Sequence, residues 1–213
     1  MCGGGCCQCW TGISESQFVQ CELEMLKHSG MEQYEIEDVF IQHPDGDQTI
    51  HTYIFGTGKP LVLLHGYGGG SLVFFPIIKE LASKFCVYAV DLPGMAGSSR
   101  HKWKARTVEE CEDYFVSRLE LWRDAVGLDE FVVVAHSLGG YVGSLYTIAY
   151  PQHVLQLHLL SPIGLLRRPD HYEVTERIKH MSCWRRFLLK TFYGTFRMGC
   201  SLFWILRCPG RCN

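Results

Sequence analysis

Val134-Ala135-His136-Ser137-Leu138-Gly139-Gly140 is the stretch from which this chain can be read. The apolar run Phe131 to Val134 precedes it and the apolar-periodic run Leu138 to Tyr150 follows. That order predicts a buried strand, one abrupt turn at Ser137 and a helix. A serine at such a junction can be no more than a helix N-cap. Here small residues stand two positions to either side, Ala135 and Gly139, as a turn that lifts a serine hydroxyl clear of the sheet requires. The helix N-terminus behind Ser137 favours negative charge developing there, which suits a nucleophile.

Two glycine-bearing stretches upstream complete the pattern. His65-Gly66-Tyr67-Gly68-Gly69-Gly70 follows the apolar run Leu61 to Leu64. Attack on a carbonyl creates an oxyanion, and backbone N–H groups must already point at it. Leu138 N–H is expected to supply one donor and Tyr67 N–H the other. A phosphate-binding loop is the competing reading, but the spacing lacks both G-x-G-x-x-G and the P-loop lysine. Asp91-Leu92-Pro93-Gly94, leading to Gly97-Ser98-Ser99-Arg100, follows the run Phe85 to Val90 and reads as a turn fixed by Asp and Gly.

Outward from these motifs the chain alternates strand and helix. Helices are expected at Ser14 to His28, Ser71 to Ser83, Thr107 to Val126 and Leu138 to Tyr150. Thr107 with Glu110 resembles a capping box. Asp38 to His43 and Thr49 to Phe55 read as a hairpin around Pro44-Asp45-Gly46-Asp47. A further strand, Val154 to Leu160, ends the repeat. Strands alternating with helices imply a mostly parallel α/β sheet. Three segments are expected: a Cys/Gly-rich and helical segment over 1–35, the α/β core over 36–163, and a basic, aromatic cap segment over 164–213.

The 213 residues include 22 Asp/Glu against 20 Lys/Arg, a formal charge of −2 that gives no reason to expect nucleic acid. Charge is nevertheless divided unevenly. Residues 164–213 hold ten Lys/Arg and three Asp/Glu, and the rest hold ten and nineteen. A basic aromatic end on an acidic body suits either an anionic membrane contact or a solvated cap face. Of eleven cysteines, Cys2, Cys6, Cys7 and Cys9 crowd the N-terminus. Their spacing is not a two-plus-two zinc pattern, so neither metal nor cofactor is expected. They read either as a tail or as sites for palmitoylation. The best apolar window, Phe187 to Leu206, contains Lys190 and Arg197 and falls short of the ~20 apolar residues needed to span a bilayer. With no secretory leader pattern, a cytoplasmic protein is expected, with peripheral attachment to a membrane or lipid droplet left open.

In Gly58 to Ser71, Asp91 to Arg100 and Thr107 through Gly164, the chain resembles an α/β-hydrolase subfamily. Its members are lysophospholipases, lysophosphatidic-acid acyltransferase homologues and the lipid-droplet co-activator of triglyceride lipase. The resemblance implies an α/β-hydrolase fold, Ser137 as nucleophile, Tyr67 and Leu138 as oxyanion donors, and a lipid or lysophospholipid acyl ester as substrate. The co-activator member carries Asn at the turn, whereas this chain carries Ser137. The fold's triad runs Ser, Asp/Glu, His along the chain. Here the sequence stops in the cap, so it reads as truncated before the last two strands and the acid and base stay unknown. Asp170, Glu173, His153, His158, His171 and His180 are the substitutes considered. A non-catalytic lipid-surface protein or lipase co-activator is the alternative reading.

Overall fold

The computed structural model describes residues 14–101, 104–165 and 181–197. Residues Val19–Leu166 form one compact unit, and the helix over Cys183–Arg197 belongs to a second. Asp170, Glu173, His171, His180 and the terminal cysteines lie outside the described residues.

Helix α1 (Glu15–Ser29) leads into the antiparallel hairpin β1 (Glu35–Ile41) and β2 (Gln48–Phe55). Then come β3 (Lys59–Leu64), α2 (Phe75–Ala82), β4 (Phe85–Val90), α3 (Val108–Val126), β5 (Phe131–His136), α4 (Leu138–Ala149) and β6 (Val154–Leu160). The Cys183–Arg197 helix is α5. The sheet order is β1-β2-β4-β3-β5-β6, with β2 antiparallel to β4 and β4, β3, β5 and β6 parallel. The expected mostly parallel sheet is therefore present, with the hairpin attached antiparallel at one side.

The central strands are buried on both faces, and period-2 alternation divides their side chains between two cores. Val62, Leu64, Phe131, Val133 and Ala135 pack with Leu119 and Trp122 of α3 and Val142 and Tyr146 of α4. Leu61 and Leu63 face the other way and pack with Leu26 of α1 and Ile78 of α2. Trp122 is fully buried and its Nε1–H donates to Thr52 Oγ1 at 2.9 Å, so the indole gains burial without stranding its donor.

The Thr107 box forms. Thr107 Oγ1 accepts from Glu110 N–H at 3.2 Å, and Glu110 Oε2 accepts from Thr107 N–H at 3.3 Å. Gly127, at φ 75°, ends the same helix in the left-handed conformation that glycine adopts without Cβ strain. At the far side β6 is the edge of the sheet among the described strands. Leu155, Leu159 and Leu160 are accordingly exposed. Among the described residues no strand pairs with the outer side of β6.

Candidate active site

Strand β5 delivers Ser137 to the end of the sheet and α4 departs from it at once. The turn forces Ser137 to φ 53°, ψ −112°, backbone that a residue with a Cβ adopts only at a cost of about 1–3 kcal/mol. Three backbone hydrogen bonds hold it. Ser137 N–H donates to Leu160 O at 3.0 Å, and Ser137 O accepts from Tyr141 N–H at 3.3 Å and Ile163 N–H at 3.2 Å. The end of β6 therefore clamps the turn that ends β5.

Small residues are required there by distance. A Cβ on Gly139 would fall 2.4 Å from Leu64 O and 2.6 Å from His65 O, so only glycine lets α4 start this close to β3. A Cβ on Gly66 would lie 3.0 Å from Ser137 Cβ and 3.1 Å from His136 Nδ1, which sets the loop after β3 directly against Ser137. Ala135 is fully buried, and its methyl is accommodated because it faces Gly143.

The loop is pinned by a histidine whose role the sequence did not reveal. His65 is fully buried, with Nδ1 2.8 Å from Gly66 O and Nε2 2.9 Å from Leu92 N. Leu92 N–H can only donate, so Nε2 accepts and Nδ1 carries the proton. Burial holds the His65 pKa below the usual histidine value, which keeps the ring neutral. His65 is a structural stitch between the loops after β3 and β4.

Asp91 makes the second stitch. Its Oδ1 accepts from Ser71 N–H at 2.6 Å, its Oδ2 from Gly97 N–H at 2.9 Å, and its carbonyl from Ser98 Oγ at 2.7 Å. The turn read from Asp91 and Gly94 is present, and its aspartate also fixes the start of the short helical turn Ser71–Phe74.

These loops and α3 wall a cleft of 480 Å³ lined by Tyr67, Met95, Arg100, Tyr114, Phe115 and Leu138 among others. The two residues expected to donate to an oxyanion thus share one cleft. Leu138 and Phe115 also line a second groove of 420 Å³ between α3 and α4. Neither described histidine downstream of Ser137 is placed as its base. His153 precedes Val154, which pairs with Phe131 at the opposite end of β5 from Ser137, and its Nδ1 lies 2.6 Å from Asp129 O. His158 is an exposed sheet-face residue beside Gln156 Oε1 at 3.2 Å, not part of the core. Among the described residues no cluster of three or more His, Cys, Asp or Glu is arranged for a metal.

A second polar constellation, also missed from sequence, joins α1 to the hairpin. His51 Nδ1 lies 2.6 Å from Asp38 Oδ1 and its Nε2 lies 3.4 Å from Glu22 Oε1. The Tyr53 hydroxyl donates to the same Glu22 oxygen. Burial pulls the His51 pKa down, but contact with Glu22 and Asp38, together with the charge of Asp91, outweighs it and lifts the value to about 9. Residues this far apart in sequence give no local signal of meeting.

Similarity to known proteins agrees with this architecture. The chain is 41% identical over 114 residues to 1-acylglycerol-3-phosphate O-acyltransferase of Arabidopsis thaliana, covering 53% of this chain and 27% of that protein. Over 111 residues it is 42% identical to human 1-acylglycerol-3-phosphate O-acyltransferase ABHD5, covering 52% and 32%. Over 110 residues it is 37% identical to the (lyso)-N-acylphosphatidylethanolamine lipase of Bos taurus, covering 52% and 32%. The chain thus spans about a third of the length of these relatives. Among solved structures, a bacterial membrane phospholipase A superposes with a TM-score of 0.61 at 22% identity, covering 76% of this chain and 50% of that one, a likeness of fold. Residues 59–196 match the family described as alpha/beta hydrolase fold, which takes in the strand–turn–helix of Ser137 and both stitched loops, and the chain belongs to that family.

Proposed function

We propose that this chain carries the nucleophile and oxyanion donors of a serine hydrolase or acyltransferase acting on lipid acyl esters: lysophospholipid, lysophosphatidic acid or neutral lipid. The observation that carries the reading is the strained backbone of Ser137 at the β5–α4 junction, clamped by Leu160 and Ile163. A merely capping serine has no need of positive φ. Ser137 Oγ attacks the acyl carbonyl and its proton passes to a general base, for which the described residues offer no well-placed histidine. Tyr67 and Leu138 N–H groups hold the oxyanion, and the acyl group then passes to water or to a lysolipid hydroxyl. The names of the relatives support a lipid substrate.

A second reading, a lipid-surface protein or lipase co-activator without its own catalysis, is favoured by α5. Trp184, Phe187 and Leu188 recur at i, i+3 and i+4 and are 67%, 63% and 49% exposed, and Arg186 and Lys190 lie on another side of the helix. An aromatic face beside a cationic one suits a helix lying in a membrane interface. Among the described residues no helix is long and apolar enough to cross a membrane. Both readings place the protein in the cytoplasm, peripheral on a membrane or lipid droplet. The described cysteines Cys21, Cys86, Cys111 and Cys183 are free, in keeping with a reducing compartment.

A short-tailed fluorophosphonate tests the first reading. It is expected to label the wild-type chain and not Ser137→Ala. Absence of labelling, or labelling that survives the substitution, overturns it.

A further inference from the structure

The sheet has two outer strands among the described elements, and they are finished differently. On β1, Glu35 and Glu37 are exposed, so a second extended chain laid there meets negative charge. Charged side chains of this kind keep an edge strand from pairing. On β6 that guard is missing. From Val154 to Leu166 there is no Asp, Glu, Lys or Arg, in a chain that is 20% charged. Leu155, Leu159 and Leu160 are 51%, 38% and 41% exposed. An uncharged apolar edge of this kind matches an equally uncharged one.

The direction of the β6 peptide groups follows from its end. Ser137 N–H donates to Leu160 O, so Leu160 faces β5. The register shift lies between Val154 and Gln156, and from Gln156 onwards pairing with β5 advances one residue at a time. Peptide groups alternate along such a strand, so those of Gln156 and His158 also face β5 and those of Leu157 and Leu159 point away from the sheet. About Leu157, the order of apolar and polar residues in Val154-Leu155-Gln156-Leu157-His158-Leu159-Leu160 is the same in both directions.

We propose that the open edge of β6 binds the β6 edge of a second copy of this chain, antiparallel about a two-fold axis at Leu157, so that the two sheets continue as one. In that register the two Leu157 residues exchange both N–H···O bonds, as outward-facing residues directly opposite each other do. Gln156 lies opposite His158 of the second copy, and Val154 and Leu155 lie opposite its Leu160 and Leu159. Polar positions meet polar ones, apolar positions meet apolar ones, and no charge is buried. A two-fold contact requires this self-complementarity. A slip of one residue would set Leu157 against His158 and Gln156 against Leu159, and inward-facing peptide groups against outward-facing ones. The seven residues of β6 make an edge about 23 Å long and about 10 Å deep, a contact of a few hundred Å² per copy against about 800 Å² in a standard interface. The dimer is therefore weak, with Kd in the micromolar range or above.

Sedimentation velocity of the full chain, from about 1 to about 300 μM, reads this equilibrium. The wild type is expected to pass from monomer to dimer and to stop there, because a two-fold contact closes on itself. Gln156→Glu/His158→Glu and Gln156→Lys/His158→Lys each alter two exposed positions and each set like charges directly opposite in their own dimer. Either double variant alone is expected to stay monomeric, and an equimolar mixture, which opposes unlike charges, is expected to regain the dimer. Glu35→Gln/Glu37→Gln on β1 is expected to leave the wild-type Kd unchanged. Amide exchange needs no variant: the Leu157 and Leu159 N–H groups are expected to gain protection as wild-type concentration rises. A wild-type monomer throughout, open-ended assembly, a dimer kept by both double variants, a mixture that stays monomeric, or no gain in protection at Leu157 overturns the proposal.

Discussion

Gly139→Ala is the sharpest perturbation of the elbow, because it adds one methyl where two backbone carbonyls already close the space. The new Cβ would meet Leu64 O at 2.4 Å and His65 O at 2.6 Å. Both oxygens belong to main chain at the end of β3, so neither can swing aside as a side-chain tip would. Relief therefore moves the first turn of α4 outward by several tenths of an ångström, and Leu138 N–H moves with it. Overpacking of this kind costs typically about 1–3 kcal/mol, and rigid neighbours on both sides put this site at the upper end. For a unit of this size that is roughly 6–12 °C in Tm. The comparison variant is Gly127→Ala, where nothing lies within 4 Å of the new Cβ and only the strain of φ 75° is added, about 1–2 kcal/mol. Circular dichroism melts of the two variants, with fluorophosphonate labelling rates, read the two effects apart. Gly139→Ala is expected to lose both more stability and labelling, and Gly127→Ala to lose stability only. A Gly139→Ala protein that melts within 1 °C of wild type and labels at the wild-type rate, against the roughly 6 °C or more expected, would refute the close-approach argument.

The remaining expectations concern charge and surface. His51 has a folded pKa raised to about 9 against an ordinary value of 6.5, so its contribution is fully present below pH 6.5 and fades as pH rises through about 9. Urea unfolding at pH 6.5 and pH 10 is expected to differ by at most about 3 kcal/mol from this group, and Glu22→Gln should shrink the difference; an unchanged difference in that variant would refute the pairing. For α5, flotation with vesicles containing phosphatidylserine is expected to recover the wild-type chain and to fail for the double variant Trp184→Ala/Phe187→Ala. Equal recovery of both proteins would remove α5 as the lipid contact.

Legibility in the sequence followed range. The β5–α4 serine turn, the glycine loop after β3 and the Thr107 box each occupy a few consecutive residues, so their φ/ψ needs and hydrogen bonds are written locally. The buried strands showed as apolar runs because both faces are covered. The start of β1 was read three residues late, at Asp38 rather than Glu35, because Glu35 and Glu37 lie on an exposed outer strand where no apolar periodicity announces pairing.

What tertiary structure decided was which distant residues meet. The placement of β4 between β2 and β3 brings Leu92 N–H to His65 and Ser71 N–H to Asp91, partners 27 and 20 residues apart. Arg118 reaches Gln48 across 70 residues, and α1 sets Glu22 against His51 and Tyr53. A chain's own residue pattern fixes local conformation and which faces are apolar. It does not fix strand order, and strand order determines which polar groups are buried together and so whether His65 is neutral or His51 charged.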